Sequence, residues 1–168
     1  MKYLLSLFFL TLMLYSCKEE KPMSSIDPVN WEKRTTTFSL SDSLKHGVTY
    51  LPVYSQIYSQ TEHRTLDLTA TVSMRNTNTK DTIYLKKTEY FDTKGNSIRT
   101  YFDKPIYIAP METVEIVIDE LDKDGGTGAN FLFHWAIKPK VNKPLFEAVM
   151  ISTYGQGISF STRGEEAK

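Results

Sequence analysis

Acidic side chains at every second position ahead of a glycine are how a loop wraps a hard cation. The chain carries one such run, Glu120-Leu-Asp122-Lys-Asp124-Gly125-Gly126-Thr127-Gly128. Oxygens at positions 1, 3 and 5 with a Gly at 6 open a calcium loop of EF-hand type. Position 12 of that register is Phe131, where a bidentate Glu is required, so an EF-hand is rejected. What remains is a weak calcium candidate at Glu120, Asp122 and Asp124. The competing reading is a polar hairpin loop whose glycines take positive φ; it predicts that Asp122→Asn changes little. The same glycines could make an anion-binding nest, but no Lys-Ser/Thr and no helix follow them, which removes a P-loop. The default is therefore no resident metal and no cofactor.

Nucleophilic catalysis has less to stand on. Three histidines, His46, His63 and His134, are available, but there is no Gly-x-Ser-x-Gly turn to expose an activated serine. His134 lies between Phe133 and Trp135 and reads as a partly buried histidine satisfied by a backbone group. His46 and His63 read as turn residues without a partner at metal spacing, and Glu62 should point away from His63 on an extended chain. The expectation is no catalytic residue. Ten Tyr, nine Phe and two Trp raise a different chemistry, stacking against a sugar or a peptide. The densest stretch is Tyr50-Leu-Pro-Val-Tyr54-Ser-Gln-Ile-Tyr58, where the alternation stops at Pro52 and the chain should run over the surface. Tyr50, Tyr54 and Tyr58 are the weak ligand-binding candidates.

The single cysteine, Cys17, cannot make an internal disulfide, a cysteine zinc site or a redox pair. Its setting supplies another use. Lys2 is followed by an apolar run from Leu4 to Leu14 broken only by Ser6 and Thr11, the pattern of a secretory signal. Such a run spans about 16 Å of a roughly 30 Å hydrocarbon core, too short for a resting transmembrane helix. Leu14-Tyr15-Ser16-Cys17 resembles a bacterial lipobox, in which the cysteine is lipidated and becomes the mature N-terminus. Residues 1–16 are thus expected as a cleaved signal peptide and Cys17 as the lipid anchor to the membrane. Lys18 in place of Asp is compatible with passage to the outer membrane, on its periplasmic face or, through Lys18-Glu19-Glu20, at the cell surface. Residues 17–40 read as a flexible tether whose later part docks on the domain through Trp31 and Phe38, since large aromatics are costly to leave bare.

These groups need a scaffold, and its hydrophobic period is two. Leu66, Leu68, Ala70, Val72 and Met74 alternate with polar residues up to Arg75, the clearest strand in the chain. Thr82 to Phe91 turns at Asp92–Asn96 into Ser97 to Phe102, a hairpin. Pro105 and Pro110 bracket an edge-like piece, Ile106 to Ile108. Val114, Ile116 and Ile118 alternate again. Asn130 to Ile137 is apolar on both phases, as a central strand covered on both faces would be. Leu145 to Ser152 and Gly157 to Ser161 complete roughly eight strands. An all-β, antiparallel β-sandwich of immunoglobulin-like or fibronectin-like architecture follows, with a closed or partly open β-barrel as the alternative. It should occupy residues 41–164 as one domain, with 165–168 a polar tail.

Twenty basic residues balance twenty acidic ones, so there is no field to gather a polyanion, and nucleic acid is not an expected partner. The chain resembles a small family of bacterial lipoproteins catalogued as the domain-of-unknown-function family numbered 3124. The resemblance rests on Tyr50-Leu-Pro-Val-Tyr54-Ser-Gln-Ile-Tyr58, Val72-Ser-Met-Arg-Asn-Thr77, Tyr90-Phe-Asp92 with Gly95, Gly125-Gly-Thr-Gly-Ala-Asn-Phe131 with Trp135, Glu147-Ala-Val-Met150 with Gly157-Ile-Ser-Phe160, and Arg163-Gly164. It covers about Val48 to Gly164 and implies an exported lipoprotein with one compact domain and no assigned ligand. The functional expectation is a membrane-anchored, non-catalytic binding or assembly module at the cell envelope, its partner an envelope protein or glycan. A cell-envelope hydrolase and a calcium-stabilised adhesion or carbohydrate-binding module are the alternatives.

Overall fold

The computed structural model describes residues 29–36 and 43–167. Twelve strands run through them: β1 (Lys45–Val53), β2 (Gln56–Ser59), β3 (Thr61–Asp67), β4 (Thr69–Arg75), β5 (Ile83–Phe91), β6 (Ser97–Thr100), β7 (Ile106–Ile108), β8 (Thr113–Ile118), β9 (Ala129–Ile137), β10 (Leu145–Ser152), β11 (Ile158–Arg163) and β12 (Glu165–Ala167). One sheet has the order β12-β1-β9-β5-β6, with β7 also on β5; the second has the order β11-β10-β4-β8; β2 and β3 form a ribbon of their own. Every pairing is antiparallel. The two larger sheets stay open and pack face to face as a β-sandwich, not a barrel.

The alternating residues fix which face is buried. Leu51 and Val53 of β1, Phe131, Phe133 and Trp135 of β9, and Leu85 and Tyr90 of β5 line the inner face of the first sheet. Ala70, Val72 and Met74 of β4, Ile116 of β8 and Phe146 of β10 oppose them. A column of rings crosses between the sheets, with centroids 4.6 Å apart for Tyr90 and Phe131, 5.5 Å for Phe131 and Phe133, and 4.1 Å for Phe133 and Phe146. Such contacts add about 0.5–1.5 kcal/mol per pair beyond simple burial. In β5 the register shifts between Leu85 and Lys87. The bulge switches the buried phase, so Ile83 and Leu85 and then Thr88 and Tyr90 all face inward.

Four expectations need correction. The strand read from Leu66 to Arg75 is two strands, because Leu68 donates its N–H to Ser55 O at 2.9 Å between them. The buried phase continues through the break while the hydrogen-bond partner changes from β2 to β10 and β8. Strand β9 is central, but only one face is fully covered: Asn130, Leu132 and His134 are half-exposed. Pro52 does not end β1. Its carbonyl accepts from Thr162 Oγ1 at 2.6 Å, away from β9, so its missing N–H lies on the side where β12 has already stopped. The polar tail is a strand: Glu165–Ala167 pairs with Val48–Tyr50.

Gly164 makes that last strand possible. The chain leaves the second sheet at Arg163 and enters the first at Glu165, and at the corner Gly164 N–H donates to Phe146 O. A Cβ there would lie 2.7 Å from Thr49 Cγ2. Part of the expected tether also docks. Thr35 bridges Ile106, Thr36 N–H donates to Pro105 O at 2.9 Å, Arg34 pairs with Glu112 at 2.8 Å, and the Trp31 ring packs 5.1 Å from Phe102. Phe38 lies outside the described residues.

Candidate functional site

A sandwich leaves its binding capacity to the turns at its ends. At the end where β4 begins and β10 finishes, β3 splays away from the second sheet to pair with β2. The gap it opens is a cleft of about 580 Å³ bounded by Arg64–Asp67 of β3, Glu120 and Leu121 of the β8–β9 loop, and Ser152–Gly155 at the β10–β11 turn. Leu121 is 68% exposed and Tyr154 65%. Ile151 and Ile158 are exposed beside the same turn. Arg64 donates to Tyr154 Oη and Gln60 Oε1, both at 3.3 Å, and so has only neutral partners among the described residues. Asp67 is occupied, 2.7 Å from Lys123 Nζ and 2.7 Å from Gln56 Nε2. Hydrogen bonds from Lys123 and Gln56 hold its carboxyl below the usual range against the opposing effect of burial. A carboxyl that stays ionised at neutral pH is a poor proton donor, so Asp67 anchors the ribbon and does not act as an acid.

The position of Leu121 has a buried cause. Asp119 Oδ1 accepts from Leu121 N–H at 3.0 Å and Asp119 O from Asp122 N–H at 2.9 Å, a turn that pushes Leu121 outward. Asp122 then turns inward: its side chain is 1% exposed and meets Arg99 Nη1 at 3.0 Å. Arg99 also donates to Tyr101 Oη at 3.3 Å and lies over the Tyr90 and Tyr101 rings, 5.9 Å from each centroid. Burial alone would lower the Arg99 pKa, but the Tyr101 and Asp122 contacts raise it. Burial likewise pushes the Tyr90 hydroxyl up; it lies 2.7 Å from Ser55 Oγ. The Arg99–Asp122 pair thus ties β6 to the β8–β9 loop.

The three carboxylates of the calcium candidate therefore do not converge. Glu120 and Asp124 are exposed, whereas Asp122 belongs to Arg99. The expectation that Asp122→Asn changes little is corrected by this burial. The loop's own polar groups are also engaged: Thr93 Oγ1 donates to Gly125 O and accepts from Gly128 N–H, and Ser55 N–H donates to Gly126 O. Gly126 has φ +71° as the loop reading requires. Among the described residues no three His, Cys, Asp or Glu side chains group as a metal would need.

The tyrosine candidates scatter. Tyr50 is 41% exposed on the outer face of the first sheet, opposite Leu132 of β9. Tyr54 packs edge-on to Phe160 with centroids 5.8 Å apart, and Tyr58 stands 61% exposed on the ribbon. They form no common platform. His134 sits on the outer face too, its Nε2 3.6 Å from Glu89 Oε2, while Glu89 Oε1 is 2.6 Å from Lys87 Nζ. A carboxylate contact replaces the expected backbone partner. Glu62 and His63 meet at 3.3 Å at the ribbon's exposed tip, where the register slips between Tyr58 and Ser59 and the strand is not flat. Cys17 lies outside the described residues.

The residues that sequence reasoning missed are Arg64, Leu121 and Tyr154. Each is unremarked in its own segment, and only the splay of β3 brings them to one cleft. The chain belongs to the family described as protein of unknown function (DUF3124), whose model matches residues 46–167. The match begins within β1 and closes with β12, so it includes the last strand and leaves out the docked segment 29–36. No curated protein and no solved structure matches the chain.

Proposed function

We propose that this protein is an exported lipoprotein, acylated at Cys17 and held at the outer membrane, whose β-sandwich is a non-catalytic binding or assembly module of the cell envelope. The observation that carries the binding role is the cleft between β3 and the β10–β11 turn, where Leu121 and Tyr154 stand exposed around an Arg64 whose partners among the described residues are neutral. A binder needs such apolar anchors with a specific polar group among them, whereas an enzyme needs titratable groups that meet in a cleft. The lipid role rests on Leu14-Tyr15-Ser16-Cys17. Acyl chains at about 0.8 kcal/mol per buried methylene would anchor the protein without a span. No helix among the described residues is long and apolar enough to cross a membrane.

Two measurements test the two halves. Cys17→Ser should abolish labelling by a clickable palmitate analogue, and unchanged labelling would end the lipoprotein reading. A photo-crosslinking residue at Tyr154 in the cell should give adducts that the same residue at Lys80, exposed beyond β4, does not. A hydrolase reading would fall to His134 and Glu89, the less exposed of the two His–Glu pairs among the described residues. That pair lies on an open sheet face, and Lys87 already neutralises the carboxylate.

A further inference from the structure

We infer that the cleft takes an extended polypeptide segment, added as a strand along the unpaired edge of β3, with a carboxylate of that segment on Arg64. This deepens the binding-module reading above and rests on it. Strand β3 has seven residues, Thr61–Asp67, and among the described residues a ladder partner on one side alone, since β2 and β3 make up a two-stranded sheet. Its continuation β4 is paired on both sides, to β10 and to β8. The change falls at Leu68. There the backbone bonds to Ser55, and β3 leaves the neighbour that the second sheet would have given it. The last rung on the β10 side is Thr69 with Ile151, immediately below the cleft floor at Ser152.

An unpaired strand edge is a template for another chain, and proteins normally blunt it with a proline, a cover or a short length. Other edges of this fold are treated in that way. Strand β7 has three residues between Pro105 and Pro110 and is bridged by Thr35; β12 has three residues and carries Glu165 and Glu166. Strand β3 is charged too, at Glu62, Arg64 and Asp67, but it is more than twice as long as either, has no proline, and no other strand covers it beyond β2 among the described residues; its second half, Arg64–Asp67, lines the cleft.

Three properties select the occupant. Main-chain donors and acceptors along β3 match an extended peptide, which supplies the complementary row at every second residue, and a glycan does not. Leu121 and Tyr154 line the cleft from elements other than β3, the β8–β9 loop and the β10–β11 turn, and offer exposed apolar surface to side chains of the segment. The lining charges are Arg64, Asp67 and Glu120: Asp67 is already held by Lys123 and Glu120 is exposed in the β8–β9 loop, whereas Arg64 has the planar fork that pairs two-pronged with a carboxylate and among the described residues meets the neutral Gln60 and Tyr154.

A phage-displayed library of random nine-residue peptides, panned on the detergent-solubilised full chain, tests this. Enrichment of sequences sharing an acidic position is expected. The best synthetic peptide should slow amide exchange across β3 and lose at least tenfold in affinity on both Arg64→Glu and Tyr154→Ser, each shown by circular dichroism to be folded. An absence of enrichment, or peptides that bind the variants unchanged or leave β3 exchange unaltered, would overturn the inference. The crosslinking residue at Tyr154 separates this from failure of the underlying reading. Adducts to a glycan or to a folded protein surface, without peptide enrichment, refute strand addition and leave the binding module standing. No adduct at all refutes both.

Discussion

Asp122→Ala should destabilise the protein by about 3 kcal/mol, far more than a loop substitution ordinarily does. The change removes the Asp122 carboxylate, 3.0 Å from Arg99 Nη1, and leaves a guanidinium that is 17% exposed. Breaking a buried pair from one side costs about 3–5 kcal/mol, and the residual access of water to Arg99 places this case at the lower end. Asp122→Asn keeps one acceptor oxygen where the carboxylate uses two, Oδ2 for Arg99 and Oδ1 for Asp124 N–H. It should cost about 1–2 kcal/mol, the difference between a charged and a neutral hydrogen bond. Replacing both partners, Arg99→Met with Asp122→Leu, should recover most of the loss, since no charge is then stranded. Urea unfolding followed by circular dichroism measures all three against a total of about 5–15 kcal/mol. A loss below 1 kcal/mol for Asp122→Ala, or a double variant no better than the single, would refute the buried-pair account.

Trp135 is 1% exposed and donates its indole N–H to Thr49 Oγ1 at 3.0 Å. Trp135→Ala should cost about 3–5 kcal/mol, and Thr49→Val about 1–3 through the stranded donor; a thermal shift of a degree or two in either would contradict the core assignment. Gly126→Val should destabilise by about 1–3 kcal/mol, because φ is +71° and its Cβ would meet Thr93 Oγ1 at 2.8 Å, while millimolar calcium should leave the melting temperature unchanged. A calcium-dependent rise lost in Asp122→Asn with Asp124→Asn would reinstate the cation site. The Arg34 hydrogen bond holds the Glu112 carboxyl below its usual range, against burial, with Ala109 N–H assisting. A depressed carboxylate contributes stability above its unfolded value, near pH 4.3, and that contribution is lost as pH falls through the lower folded value. The 19F signal of fluorotryptophan at Trp31 should therefore move toward its exposed position below about pH 4, ahead of Trp135 and not in Glu112→Gln; simultaneous movement of both signals would show that the segment has no separate release.

What the sequence makes legible follows from what a hydrophobic period encodes. Alternation in Leu68, Ala70, Val72 and Met74 states that these side chains share a buried face, and all four are buried. It carries no information on which strand accepts the hydrogen bonds, so the exchange of partners at Leu68 passes through an unbroken pattern. The same limit hides β12, whose residues are charged because the strand lies at an edge and needs no apolar side chain to pair with Val48–Tyr50. Prolines mislead for a related reason. Pro52 reads as the end of a strand, yet a strand tolerates it wherever the missing N–H faces an open side. The candidate site is subject to this limit twice. Asp122 looks like a solvated loop acid until Arg99, from the β5–β6 hairpin, is brought against it. Arg64 and Tyr154 lie 90 positions apart and meet only because β3 leaves its sheet. The feature that breaks the regular pairing is thus the feature that assembles the cleft, and local pattern is silent about both. Restoring the pairing should therefore close the site: a variant that extends the β4–β10 ladder past Leu68 would gain hydrogen bonds and lose the cleft between β3 and the β10–β11 turn.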